Sequence, residues 1–343
     1  MAVLLAAAPE SLATRTQGAR PQSVQVSPGS DTLRASGGIP ADVAGMFEVP
    51  VAFQQTPSGT YLVFDRRAQS VFAIAPNRRD VRKLVAIGPE SGRIIEPTTL
   101  DVGPDGIFVV ADAPNRVERI QFFNEQGERV GGFSFPGRAS YRVYLGMRAL
   151  SGVGSLRFTG RSLLVNQPET GWLVTEYGLS GTPVRSFGAL RPTGQEDDRD
   201  VHLALNVGLP LANPAGGFYF VFLAGEPRFR KYAGDGTLEF ERLMQGRELD
   251  TLVKTLPARW PRRRVAGEEL PMVPPTIRTA AVDAAGRLWV SFIVPRTHVY
   301  DQDGERVRKV QFEAAGTLAP DSMFFTRSGR LLVTPGLYEF DPR

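Results

Sequence analysis

A glycine turn followed by a short apolar run occurs six times in the 343-residue chain, and this recurrence constrains the fold more than any single motif does. The turns centre on Gly59, Gly106, Gly160, Gly216, Gly286 and Gly329, and the runs after them include YLVFD, IFVVAD, SLLVN, FYFVF, RLWVSF and RLLVTP. Successive spacings are 47, 54, 56, 70 and 43 residues. A second turn follows at a nearly fixed distance: Gly127 lies 21 residues after Gly106, Gly181 lies 21 after Gly160, Gly236 lies 20 after Gly216 and Gly304 lies 18 after Gly286, while Asn77 lies 18 after Gly59. Each unit therefore reads strand, turn, strand, loop, strand, turn, strand, with β-branched and aromatic residues filling the strands. A period of about 40 to 50 residues with four strands per unit marks a propeller blade, whose two faces are both covered by neighbouring blades.

The expectation is an all-β chain: a six-bladed β-propeller of four-stranded blades spanning residues 21–343 as a single domain, with residues 1–20 a leader or disordered segment. The sixth copy ends at LYEFDPR, one strand short, so a strand from the N-terminus is expected to close the ring. QSVQVSP at residues 22–28 is the best candidate, and residues 28–45 then form a Gly/Ser/Pro-rich connection. The 70-residue spacing marks an insertion over residues 246–275. Leu249, Leu252, Val253 and Leu256 in it fall at helical spacing, and PARWPRRRVAGEELPMVPP after them reads as an extended basic flap.

The second copy, PTTLDVGPDGIFVVADAPNRVERIQFFNEQGERV, resembles an NHL-type repeat in Pro97, Asp105, Gly106, Asp112, Asn115, Arg119, Ile120 and Gly127, with two extra residues around Val117 and Glu118. The first and fifth copies match in part and the third and fourth poorly. The resemblance implies an NHL-like propeller over residues 46–343 and implies no activity, because the fold hosts both binders and enzymes.

Composition removes several classes of function. There is no cysteine, which excludes disulfides, thiolate metal sites and cysteine nucleophiles. A net charge of +4, with 36 of the 40 basic residues arginine, gives no concentrated basic patch and no expectation of nucleic-acid binding. No apolar stretch is long enough for a transmembrane helix. The apolar run Ala2–Ala8 reads as the remnant of a truncated signal peptide and points to a periplasmic or secreted protein. No G-x-S-x-G elbow, phosphate loop or H-E-x-x-H is present.

Loops after the second and fourth strands should share one rim, and loops on a rigid scaffold are where function concentrates. That rim gathers Arg66, Arg67, Arg116, Arg119, Arg228 and Arg296, which read either as an anion-binding mouth or as partners of Asp65, Asp112, Glu118, Glu169 and Glu226. In the insertion, Trp260 with Arg262, Arg263 and Arg264 reads either as a ligand clamp or as part of a plain crossing between blades. His202 and His298 are the only histidines, so a three-histidine metal site is excluded; Glu96, Asn206 and Asp321 are the candidates for an oxygen-rich calcium site.

With no catalytic constellation recognised, the leading expectation is a non-catalytic propeller without cofactor that binds a protein, peptide or glycan on its rim, as a monomer or as a subunit of an envelope complex. The alternative is an enzyme similar to the six-bladed gluconolactonase-like hydrolases: a metal-dependent lactonase or esterase with a divalent cation in the channel.

Overall fold

The computed structural model describes residues 30–136, 141–145, 148–151, 155–265 and 267–343. The expected leader and the candidate strand at residues 22–28 lie outside them.

Four sheets are four-stranded meanders, each running Pro50–Gln55, Tyr61–Asp65, Ser70–Ile74, Val81–Val85 or its equivalent, with every strand antiparallel to the next. The others begin with Thr99–Val102, Leu156–Phe158 and Gly208–Ala212 and end with Arg129–Ser134, Pro183–Ala189 and Leu238–Leu243. The turns that announce them behave as their chemistry demands. Gly106 and Gly127 sit at φ of 89° and 87°, the left-handed region that glycine enters without steric cost. At Gly127 a Cβ would lie 2.7 Å from the Leu84 carbonyl oxygen of the preceding sheet, so this turn is also a point of close backbone approach.

The second strands carry the packing. Phe218–Phe222 is almost wholly buried: Tyr219 and Val221 join a cluster with Leu288, Val290 and Phe292 of the next sheet, while Phe220 and Phe222 pack against Leu164, Leu173 and Val174 of the previous one. Covering both faces explains the unbroken apolar runs, and each such side chain contributes roughly 1.5–3 kcal/mol by its burial. Equivalent clusters lie between every other pair of neighbours, and the last, containing Phe53, Val63, Leu332 and Leu337, joins the C-terminal strands to the first sheet. The sheets therefore form a β-propeller of four-stranded blades.

The C-terminal fifth of the chain forms, with the strand Ser30–Gly38, one nine-stranded sheet whose two meandering arms, 277–313 and 322–340, that strand joins. The first half of that strand pairs in parallel with Lys309–Glu313, and its second half pairs antiparallel with Tyr338–Phe340. These residues fall in the stretch expected from the sequence to be a Gly/Ser/Pro-rich connection. Its Gly/Ser/Pro-rich surroundings concealed the short run Thr32-Leu33-Arg34, of which only Leu33 is buried.

A further sheet lies outside the repeat pattern. Arg148–Ser151, Tyr141–Leu145, Glu268–Val273 and Arg262–Val265 pair in that order. The insertion is thus the helix Arg247–Lys254 followed by a hairpin, not an extended flap, and its second strand pairs in parallel with Tyr144 and Leu145. The helix Arg199–Ala204 packs against both Tyr141–Leu145 and Glu268–Val273. Three inter-sheet crossovers therefore meet on the face where the innermost strands begin. Among the described residues, no helix is long and apolar enough to cross a membrane.

Candidate active site in the channel

The innermost strands Pro50–Gln55, Thr99–Val102, Leu156–Phe158, Gly208–Ala212, Ile277–Val282 and Ser322–Phe325 all line one cavity of about 570 Å³. Arg66, Leu223, Ile293 and Pro335, each just beyond a second strand, line it as well, which places its mouth on the rim. Leu209, Pro210, Leu211 and Leu223 make one wall apolar, while charged and hydroxyl side chains occupy much of the remainder.

Asp101 is the chemically distinctive group. It interrupts the otherwise apolar end of Thr99–Val102, lines the cavity and is 4% exposed. Its Oδ1 accepts from Arg157 Nη1 at 3.0 Å and Gln54 Nε2 at 3.4 Å, and its Oδ2 accepts from the Phe158 backbone N–H at 2.7 Å. Gln54 Oε1 in turn accepts from the Val102 N–H at 2.8 Å, so three successive inner strands are tied around one carboxyl. Burial pushes this carboxyl above the ordinary aspartate value of 3.8; the charge of Arg157 and the hydrogen bonds pull the other way without cancelling that effect. A carboxyl held high by burial, beside a fixed cation and open to a cavity, is the environment of a general acid or base.

A second pair, Arg278 and Asp321, meets at 2.5 Å on the same cavity lining. Arg66 lines it without a side-chain hydrogen bond or ion pair among the described residues.

The other rim arginines are largely tied down. Arg67 pairs with Glu48 at 2.6 Å. Arg119 donates to both oxygens of Asp112 and to the Pro89 and Arg93 carbonyls, which makes it a strut between loops. Arg228 bonds Glu226 and Glu241, and Arg296 bonds Gln311. Arg116 stands on the short turn Pro114–Arg116. In the insertion, Trp260 packs half-buried against the cluster between the fourth meander and Ile277–Val282. Arg262 pairs with Asp198 at 2.6 Å and Asp200 at 3.1 Å, holding the hairpin to the start of helix Arg199–Ala204. Arg263 and Arg264 are exposed on the same strand.

The candidate metal ligands are not brought together. Glu96 is exposed on its loop. Asn206 is fully buried, its Oδ1 accepting from the Arg191 N–H and its Nδ2 donating to the His202 carbonyl. Asp321 is engaged by Arg278. Among the described residues, no group of three or more His, Asp or Glu could hold a metal ion. His202 Nδ1 lies 2.8 Å from Thr193 Oγ1. His298, fully buried, directs Nε2–H at Glu248 Oε1 2.7 Å away; burial pushes it down to about 4, so as a neutral ring it fastens helix Arg247–Lys254 to Thr297–Tyr300.

Sequence reasoning missed Asp101, Arg157 and Arg278. The available signal was a charged residue inside a short apolar strand, TLDV, LRF and IRTAAV.

No family model matches the chain, so membership of the NHL family has no support beyond the resemblance, and no curated protein matches it. Solved structures do. A gluconolactonase from Xanthomonas campestris is 17% identical, with 91% of this chain and 97% of that one covered at a TM-score of 0.49. A streptogramin B lyase is 10% identical over 85% and 92% of the two chains at 0.50, and virginiamycin B lyase from Staphylococcus aureus is 9% identical over 83% and 77% at 0.49. The shared feature is the propeller fold. The expectation of a non-catalytic binding scaffold, which rested on the lack of a recognised catalytic constellation, is corrected: the channel holds a buried carboxyl raised by that burial, with Arg157 3.0 Å away.

Proposed function

We propose that this protein is a hydrolase that opens small lactones or esters inside its channel, with Asp101 as general base. The observation that carries the reading is the Asp101 carboxyl, buried at the cavity wall and raised by that burial, with Arg157 3.0 Å away. In the reaction, a water oxygen attacks the acyl carbon while Asp101 takes the water proton. Arg157, whose Nε and Nη2 have no partner among the described residues, donates to the oxyanion. Asp101 then returns the proton to the departing alkoxide, leaving a carboxylic acid and an alcohol. The donors expected for calcium do not converge, so the residues present do not fit that ion and no step passes through one. We further read the ring as six blades, with the nine-stranded sheet forming two blades bridged by Ser30–Gly38.

The test is turnover by the purified protein of a panel of lactones and aryl esters, alongside Thr99→Trp, which fills the cavity from an inner strand. Measurable hydrolysis by the parent protein and its loss in the folded variant are expected. No turnover of any panel member, or full activity with the channel filled, would refute the proposal.

A further inference from the structure

We infer that the channel selects substrates bearing a carboxylate on an apolar body; the hydrolase reading supplies the reaction, but the selection is a property of binding and is tested separately. Three arginines from three different sheets reach the cavity: Arg66 beyond Tyr61–Asp65, Arg157 on Leu156–Phe158 and Arg278 on Ile277–Val282. Arg157 and Arg278 each spend a single nitrogen, Nη1, on a neighbouring aspartate, and both are only about one-third exposed. Arg66 spends none on a described residue. A guanidinium presents five donors in a planar fork, so this mouth holds more cationic donors than its own acceptors use.

The ligand charge follows from what surrounds these donors. Asp101, Asp321 and Glu48 line the same cavity, and a dianionic phosphate would be repelled by them more strongly than a monoanion. A single carboxylate can pair with the free fork edges and leave Arg157–Asp101 and Arg278–Asp321 intact. The wall of Leu209, Pro210, Leu211 and Leu223 stands between the strands that carry Arg157 and Arg278 and across the ring from the sheet of Arg66; it has no polar side chain and suits a hydrocarbon or aromatic body. One cavity thus offers cationic donors for the head and an apolar strand for the body.

Phenylacetate and phenylacetamide share shape and differ in charge, which makes them a suitable probe pair for isothermal titration calorimetry at low salt. Phenylacetate is expected to bind at least about tenfold more tightly than the amide, and Arg66→Gln to weaken the acid about tenfold while leaving the amide unchanged. Arg66 has no ion pair to break among the described residues, so this variant avoids the folding effects that Arg278→Gln risks through Asp321. Raising the salt should mimic the substitution. Equal affinity for acid and amide, or acid binding unaffected by Arg66→Gln, would overturn the inference. If phenylacetate binds as expected and no ester is turned over, the hydrolase reading fails alone; if neutral esters are hydrolysed without preference for anionic ones, this inference fails alone.

Discussion

Asp101→Asn is expected to lower kcat on the best panel substrate by about 10²- to 10⁴-fold, the usual contribution of a positioned general base, while the protein stays folded. Asparagine has one acceptor oxygen where the carboxylate has two, so it keeps either the Arg157 and Gln54 bonds of Oδ1 or the Phe158 N–H bond of Oδ2, and the other strand contact is lost. Removing a buried charge relieves desolvation, whereas Arg157 loses its counter-ion but keeps about a third of its side chain in solvent. The donor left without an acceptor adds a cost, so a stability loss of about 1–3 kcal/mol is expected, small enough for the protein to stay folded and for a thermal scan to separate it from the kinetic effect. A variant that retains kcat within a few fold would remove Asp101 from the base role.

Deleting residues 1–38 is expected to abolish cooperative folding. Among the described residues, Ser30–Gly38 is the only segment bonded both to Lys309–Glu313 and to Tyr338–Phe340, and its Leu33 packs in the cluster with Phe312, Leu331 and Phe340. Its loss leaves two unpaired strand edges and opens an apolar cluster to water. A domain has only about 5–15 kcal/mol of net stability to lose, and removing a whole strand with its buried contacts is on that scale. Loss of the thermal transition and aggregation on size exclusion are the expected readings; an unchanged melting temperature would show that the two arms hold without the strand.

The repeat was legible because turn chemistry is local. Gly106, Gly127 and their counterparts need positive φ whatever surrounds them, and the strands between them show their two-sided burial directly in runs such as FYFVF. The linking strand was not legible, since Thr32-Leu33-Arg34 has one buried side chain and gains its identity only from partners some 280 to 300 residues away. The hairpin of the insertion was hidden in the same way: Pro261 and Pro271 suggested an extended flap, whereas the parallel pairing of Met272 and Val273 with Tyr144 and Leu145 is a long-range contact. The site failed for a geometric reason. Rim arginines stand out in a sequence, but Arg119, Arg228 and Arg262 are used up holding loops and crossovers in place. Asp101, Arg157 and Arg278 are single charges in short inner strands, and only closure of the ring places them around one cavity.

The pH dependence of kcat/KM tests the central claim most directly. A general base works deprotonated, so activity should rise with pH through one ionisation lying above the ordinary aspartate value of 3.8, because burial of Asp101 favours its neutral form. A rising limb displaced upward from 3.8 in the parent protein, and missing from the residual activity of Asp101→Asn, is the predicted result. A profile that is flat from acid to neutral pH, or a limb that survives unchanged in the variant, would contradict an Asp101-centred active site.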